Sequence, residues 1–203
     1  MFNIKKQKCI LALVVLSASA PAMSKEFSYD YVQATFSSIT IDNDDGGDDL
    51  DGNGFSVSGS FSVAPAIALG ASFTSTNYDE YQDVDIDTTS LQIGILAHTS
   101  VSPGTDVLGS FSVLKGNVEA SDGNTTIDDD DTGFVVSVGL RHFASETLEL
   151  EAGLSNTDIF DDSSTAISLG ARLYVNEKLS LAAGYSTSDD ANAFLLNARI
   201  NLK

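Results

Sequence analysis

Residues Phe55-Ser56-Val57-Ser58-Gly59-Ser60-Phe61-Ser62-Val63 place large apolar side chains at every second position and only serine or glycine between them. A period of two puts these sets on opposite faces of a β-strand. The small face is uncharged, whereas the outside of a soluble sheet normally carries abundant Lys and Glu. The alternation recurs to the end of the chain, at Ile67/Leu69/Ala71/Phe73, Leu91/Ile93/Ile95/Ala97, Val107/Gly109/Phe111/Val113, Phe134/Val136/Val138/Leu140, Leu148/Leu150/Ala152/Leu154, Ile167/Leu169/Ala171/Leu173, Leu179/Leu181/Ala183/Tyr185 and Phe194/Leu196/Ala198/Ile200/Leu202. An apolar band without a soluble coat predicts an all-β, closed antiparallel transmembrane barrel. Closure is obligatory there, because lipid offers no partner to an open strand edge.

The N-terminus reads as an export leader. Lys5, Lys6 and Lys8 precede the apolar run Cys9 to Leu16, and small residues follow through Ala20-Pro21-Ala22. This predicts a cleaved signal peptide over 1–22 and a single barrel domain over 23–203. Cys9, the one cysteine, leaves with the leader, so the exported chain has no thiol chemistry. The formal net charge is −19, and three of the ten basic residues lie in the leader, so nucleic acid is excluded as a partner.

Ten strands are expected, at roughly 26–41, 54–63, 66–78, 86–99, 105–118, 132–143, 147–157, 164–175, 178–187 and 192–202, with eight as the alternative count. The connections alternate in length. Short turns fall at 64–65, 100–104, 144–146 and 176–177, and longer ones at 42–53, 79–85, 119–131, 158–163 and 188–191. Of the 29 acids, 22 lie in or beside the five longer connections, which assigns those to one outer, extracellular end and the short turns to the periplasm. The first strand has two competing phases, Phe27/Tyr29/Tyr31 against Val32/Ala34/Phe36, which a bulge or an aromatic belt would reconcile.

A leader, an even strand number, alternating loop lengths and a terminal apolar strand together resemble the small outer-membrane β-barrel proteins of Gram-negative bacteria, the OmpA-like or porin-family group. The resemblance spans 26–203 and implies residence in the outer membrane, contact with its lipid and lipopolysaccharide, and insertion by the barrel-assembly machinery, as a monomer. One departure concerns the last residues, Arg199-Ile200-Asn201-Leu202-Lys203, where these families commonly end on an aromatic.

The charges inside the predicted barrel are few. Arg141, Arg172 and Arg199 fall in the polar phase of their strands. Pairing Phe143 with Thr147 would set Arg141 opposite Glu149, with Glu151 further along the same face, an ion-pair network in the lumen. Asp30, Gln92, His98 and Tyr174 are expected beside it. Such charges either form a solute-selecting constriction or plug a narrow lumen, and plugging is favoured because barrels of this size are nearly filled by side chains.

The acidic ends offer weak cation ligands. Asp49-x-Asp51-x-Asn53-Gly54 matches the first half of a calcium loop, but Ser60 stands where the bidentate Glu belongs and a strand follows instead of a helix. No dedicated metal site or cofactor is therefore expected, only weak, shared Ca²⁺ or Mg²⁺ binding by Asp49, Asp51 and Asn53 together with Asp128, Asp129, Asp130 and Asp131. Enzymes on similar barrels, omptin-like proteases and lipid A-modifying enzymes, imply a catalytic histidine at the outer end. His98 and His142 lie beside the short turns instead, which argues against catalysis. The expected function is a non-enzymatic outer-membrane barrel with an acidic surface role and weak divalent-cation binding, the alternative being a small porin or channel.

Overall fold

The computed structural model describes residues 26–42, 49–81, 84–123 and 125–202. The expected signal peptide over 1–22 lies outside the described residues. Ten strands follow one another in chain order: β1 (Tyr31–Ile41), β2 (Leu50–Ala64), β3 (Ile67–Tyr81), β4 (Val84–Ser102), β5 (Thr105–Ser121), β6 (Thr126–Phe143), β7 (Leu148–Ile159), β8 (Asp162–Tyr174), β9 (Leu179–Thr187) and β10 (Ala191–Asn201). Each pairs antiparallel with its neighbours, and β1 pairs with β10 from Tyr31 opposite Asn201 to Ile41 opposite Ala191. The barrel is closed with ten strands, not eight.

The alternation seen in the sequence maps onto the two faces. Val57, Phe61, Phe73, Ile93, Phe111, Val138, Leu169 and Leu196 are exposed on the outside, where lipid covers them. Their serine, glycine and arginine neighbours point inward. At Gly94 a Cβ would lie 2.4 Å from the Phe111 carbonyl oxygen, so the close approach of β4 to β5 requires glycine there.

The first strand settles its phase without a bulge or an aromatic belt. Val32, Ala34 and Phe36 face lipid, and Tyr31, Gln33 and Ser37 face the lumen. Residues 27–30 precede β1 rather than belonging to it, and their aromatic rings turn into the periplasmic end of the barrel. These residues therefore follow the demands of lumen packing, not those of a lipid interface.

The short turns stand where expected, but most of the longer connections are strand. The β3–β4 hairpin pairs out to Tyr81 opposite Val84, β5–β6 out to Ser121 opposite Thr126, and β7–β8 turns on Phe160 and Asp161 alone. Both of those residues have positive φ, 57° and 58°, the backbone twist that suits a two-residue hairpin. The 19 residues of β4 rise about 60 Å along the strand, against an apolar band about 25 Å tall, so the upper parts of β2 to β6 stand above the membrane. Aspartate is depleted in strands, because its short carboxylate bonds nearby backbone groups and favours turns. Here partners are supplied: the Asn77 amide donates to Asp87, the Asn117 amide to Asp128, and the Thr40 hydroxyl to Asp51 at 2.6 Å.

Candidate functional site

The periplasmic third of the lumen holds the buried charge. Arg141 on β6, Glu149 and Glu151 on β7, Arg172 on β8 and Arg199 on β10 all point inward, as the polar phase required. Glu149 is 0 % exposed and Arg172 1 %. An arginine on the lipid face would cost about 2–4 kcal/mol near the midplane, so the inward phase is the one the membrane permits.

The register between β6 and β7 differs from expectation by two residues. Phe143 faces Glu149, and Arg141 faces Glu151. The connection needs all of 144–147, because the amides of Ala144 and Ser145 both donate to the Leu148 carbonyl, at 2.9 and 3.2 Å. A shift of two keeps every side chain on its face. Arg141 then reaches diagonally to Glu149, Nε to Oε1 at 2.5 Å and Nη2 to Oε2 at 3.1 Å. This is a bidentate, charge-assisted pair.

The remaining links run around the barrel. Arg172 Nε donates to Glu151 at 3.0 Å and its Nη2 to the Gln33 side-chain oxygen at 3.2 Å. Arg199 Nε donates to the same Gln33 oxygen at 2.9 Å, and its guanidinium lies 4.0 Å from the Tyr31 ring centre. Tyr174 donates its hydroxyl to Glu149 at 2.6 Å. The five residues thus make two adjoining groups, Arg141 with Glu149 and Tyr174, and Arg172 and Arg199 with Glu151, Gln33 and Tyr31, which meet where Arg141 stands across from Glu151.

Beneath them lies a layer of which sequence reasoning expected only Asp30 and His98. Phe27 stacks on Phe143 with ring centres 4.4 Å apart, and Tyr29 stacks on His98 at 3.6 Å. The Arg141 guanidinium covers both rings of the chain before β1, 4.7 Å from Phe27 and 5.1 Å from Tyr29. Asp106 accepts the Tyr29 hydroxyl at 2.7 Å and the Ser100 hydroxyl at 2.5 Å. Asp30 accepts the Ser62 amide and hydroxyl, at 2.8 and 3.1 Å. Burial, reinforced by donation to Asp106, pushes the Tyr29 phenol above its ordinary range. One signal for this layer was available: Asp106 is an acid at a short turn and in the inward phase of its strand.

One expected member, Gln92, stands apart. Gln92 lies higher in the lumen, beside a small cavity of about 180 Å³ lined chiefly by serine and glycine, including Ser58, Ser60, Ser72 and Ser110. His142 faces outward and shares a 2.9 Å contact with the Thr105 hydroxyl. Both histidines sit at the periplasmic end.

The cation ligands proposed from sequence do not converge. Asp49 lies just before β2, while Asp51 and Asn53 are exposed on its outer face. Asp128 to Asp131 are strand residues of β6, not loop. Strand alternation sends Asp128 and Asp130 outward and Asp129 and Asp131 inward. Asp130 pairs with Lys115 at 3.0 Å, and Asp131 accepts the Phe160 amide at 2.6 Å. Among the described residues no group of three His, Cys, Asp or Glu side chains is placed to hold a metal ion.

Residues 10–173 match the family model described as the outer membrane protein beta-barrel domain. The chain belongs to that family. It places the protein in the outer membrane of Gram-negative bacteria. No curated protein matches. Among solved structures, the transport unit of the autotransporter AIDA-I from Escherichia coli is similar over 92 % of this chain and 94 % of its own, at 11 % identity and a TM-score of 0.55. The beta domain of the Bordetella autotransporter BrkA is similar over 86 % and 99 %, at 13 % identity and 0.53. Neisserial surface protein A is similar over 86 % and 98 %, at 13 % and 0.49. At these identities the two autotransporter domains establish a shared barrel and nothing finer.

Proposed function

We propose that this protein is a non-enzymatic, non-conducting outer-membrane barrel whose acidic extracellular end is its working surface. One observation supports this above all: the periplasmic end of the lumen is occupied by Phe27, Tyr29, Phe143, Tyr174 and the arginine–glutamate assembly, whose buried side chains satisfy one another. A selectivity filter needs groups turned toward a passing solute. Here Arg141 is turned toward Glu149 and Arg172 toward Glu151. The protein works as a monomer, is exported by a cleaved leader and inserted by the assembly machinery, and contacts lipopolysaccharide along its belt. Divalent cations bind weakly and collectively to the carboxylates above the membrane, relieving their mutual repulsion.

Reconstitution in planar bilayers tests the reading. Silence at high protein load is expected, with conductance appearing when Phe27 and Tyr29 are both replaced by Ala. Discrete, reproducible openings of the unaltered protein would replace this reading with that of a small channel.

A further inference from the structure

Above the membrane the two faces of the wall exchange character. Within the membrane the outside is apolar and the inside polar. In the upper parts of β2 to β6 the exposed outer face carries Asp51, Asn77, Asp87, Asn117, Glu119 and Asp128. The inner face carries apolar side chains at consecutive register positions. Ile41 faces Leu50, Tyr78 faces Ile86, Ile86 faces Ala120, and Ala120 faces Ile127. Tyr78 leans inward across Gly52, where a Cβ would lie 2.6 Å from its ring. On the β7 side the rim is closed by Ile159 and Phe160, which pack toward Gly116.

This inner face is a concave apolar surface at the outer mouth, and lipid cannot reach it through the polar outer wall. Leu50, Tyr78, Ile86 and Val118 remain half-exposed within it, and Ile127 at its lip is 67 % exposed. Apolar surface left in water is unfavourable by about 25 cal/mol per Å², and contiguous patches of it commonly mark binding sites. The charge beside it selects the occupant. Asp129 shares the inner face and stands directly opposite Val118, and outward-facing acids surround the rim. An anionic amphiphile would be repelled, and a neutral one would leave Asp129 unanswered. A cation on an apolar body satisfies both features.

We propose that the extracellular mouth is a receptor cup for cationic amphiphiles, with the apolar body against Tyr78, Ile86 and Val118 and the cation at Asp129. It rests on the proposed function only in that the ligand stops at the mouth, because the floor below is closed. Conductance measured on the same samples keeps the two separable, since binding together with steady openings would sink the closed-lumen reading and leave the cup standing.

The test uses the full barrel in lipid nanodiscs, titrated calorimetrically with decyltrimethylammonium below its micelle concentration. Empty nanodiscs account for partition into lipid. Decyl sulfate, decanol and tetramethylammonium separate head from tail. Saturable binding above the empty-disc signal is expected for decyltrimethylammonium, at least tenfold tighter than for each comparator. Ile86→Ser and Val118→Ser should each weaken it about tenfold and Asp129→Asn several-fold, while the outward Asp128→Asn leaves it within twofold. Heat-modifiable gel mobility verifies folding, and Asp129→Asn, an exposed and isosteric change, decides the matter if the core variants misfold. Heat equal to that of empty discs, equal binding of decyl sulfate, or indifference to Asp129→Asn would overturn the proposal.

Discussion

Replacing Arg141 with Leu removes the cation that grips Glu149 by two hydrogen bonds, at 2.5 and 3.1 Å, in a place where Glu149 is 0 % exposed. An uncompensated buried charge of this kind costs about 3–5 kcal/mol. Tyr174 still donates to Glu149 at 2.6 Å, and a vacated guanidinium leaves room for lumen water, so a loss near the lower bound, about 3 kcal/mol, is expected. Glu149→Leu alone should cost a similar amount, by stranding Arg141. The double variant should recover at least half of the combined loss, because an apolar pair of similar volume is near neutral where a half-pair is not. The chain has no tryptophan, so unfolding in urea from phospholipid vesicles would be followed by far-ultraviolet circular dichroism and by heat-modifiable gel mobility. Additive single and double variants would refute the reasoning, since a pair that grips across β6 and β7 must couple.

Cysteines placed at Val57 and Phe61 should react with lipid-soluble labels and those at Ser58 and Ser60 should not; the reverse pattern would mean the barrel is inside out. Because burial raises the Tyr29 phenol, the neutral form is favoured in the folded state. Its stabilisation is complete below the unfolded phenol value of about 10 and is lost as pH rises from there toward the higher folded value. Melting curves between pH 9 and 11 should therefore fall more steeply for the unaltered chain than for Tyr29→Phe. Millimolar Ca²⁺ should raise thermal stability beyond NaCl of equal ionic strength, with a smaller effect when Asp128 to Asp131 are all Asn; equal effects of the two salts would leave only screening at the acidic rim.

The membrane part of this fold was legible because lipid imposes one rule on every strand, and Phe55 to Val63 obeys it without exception. The arginines were placed correctly for the same reason: any other face would be penalised. Above the membrane the rule reverses. Tyr78, Ile86 and Val118 lie in the phase opposite to the lipid belt, so the apolar signal breaks off there and strand reads as loop. The β6–β7 register was misjudged because a shift of two residues leaves every face unchanged, so alternation cannot detect it. Phe27 and Tyr29 were paired with the wrong environment because an aromatic before a strand looks the same whether it meets lipid or a guanidinium.

Gln33 receives hydrogen bonds from both Arg172 and Arg199, and it lies on β1, whereas those arginines lie on β8 and β10. No hairpin can bring them together. They meet only when the first strand zips to the last. Until that moment Arg199 lacks its Gln33 acceptor, Arg172 has Glu151 of β7 and Ser180 of β9 but not Gln33, and the Arg141 cation lacks the rings of Phe27 and Tyr29, which arrive with the same strand. The seam is thus where a polar interior already paired along β6 to β8 gains its last partners. A chain stalled one strand short would keep Arg199 hydrated and its floor open, so completing the circle and sealing the floor become a single event.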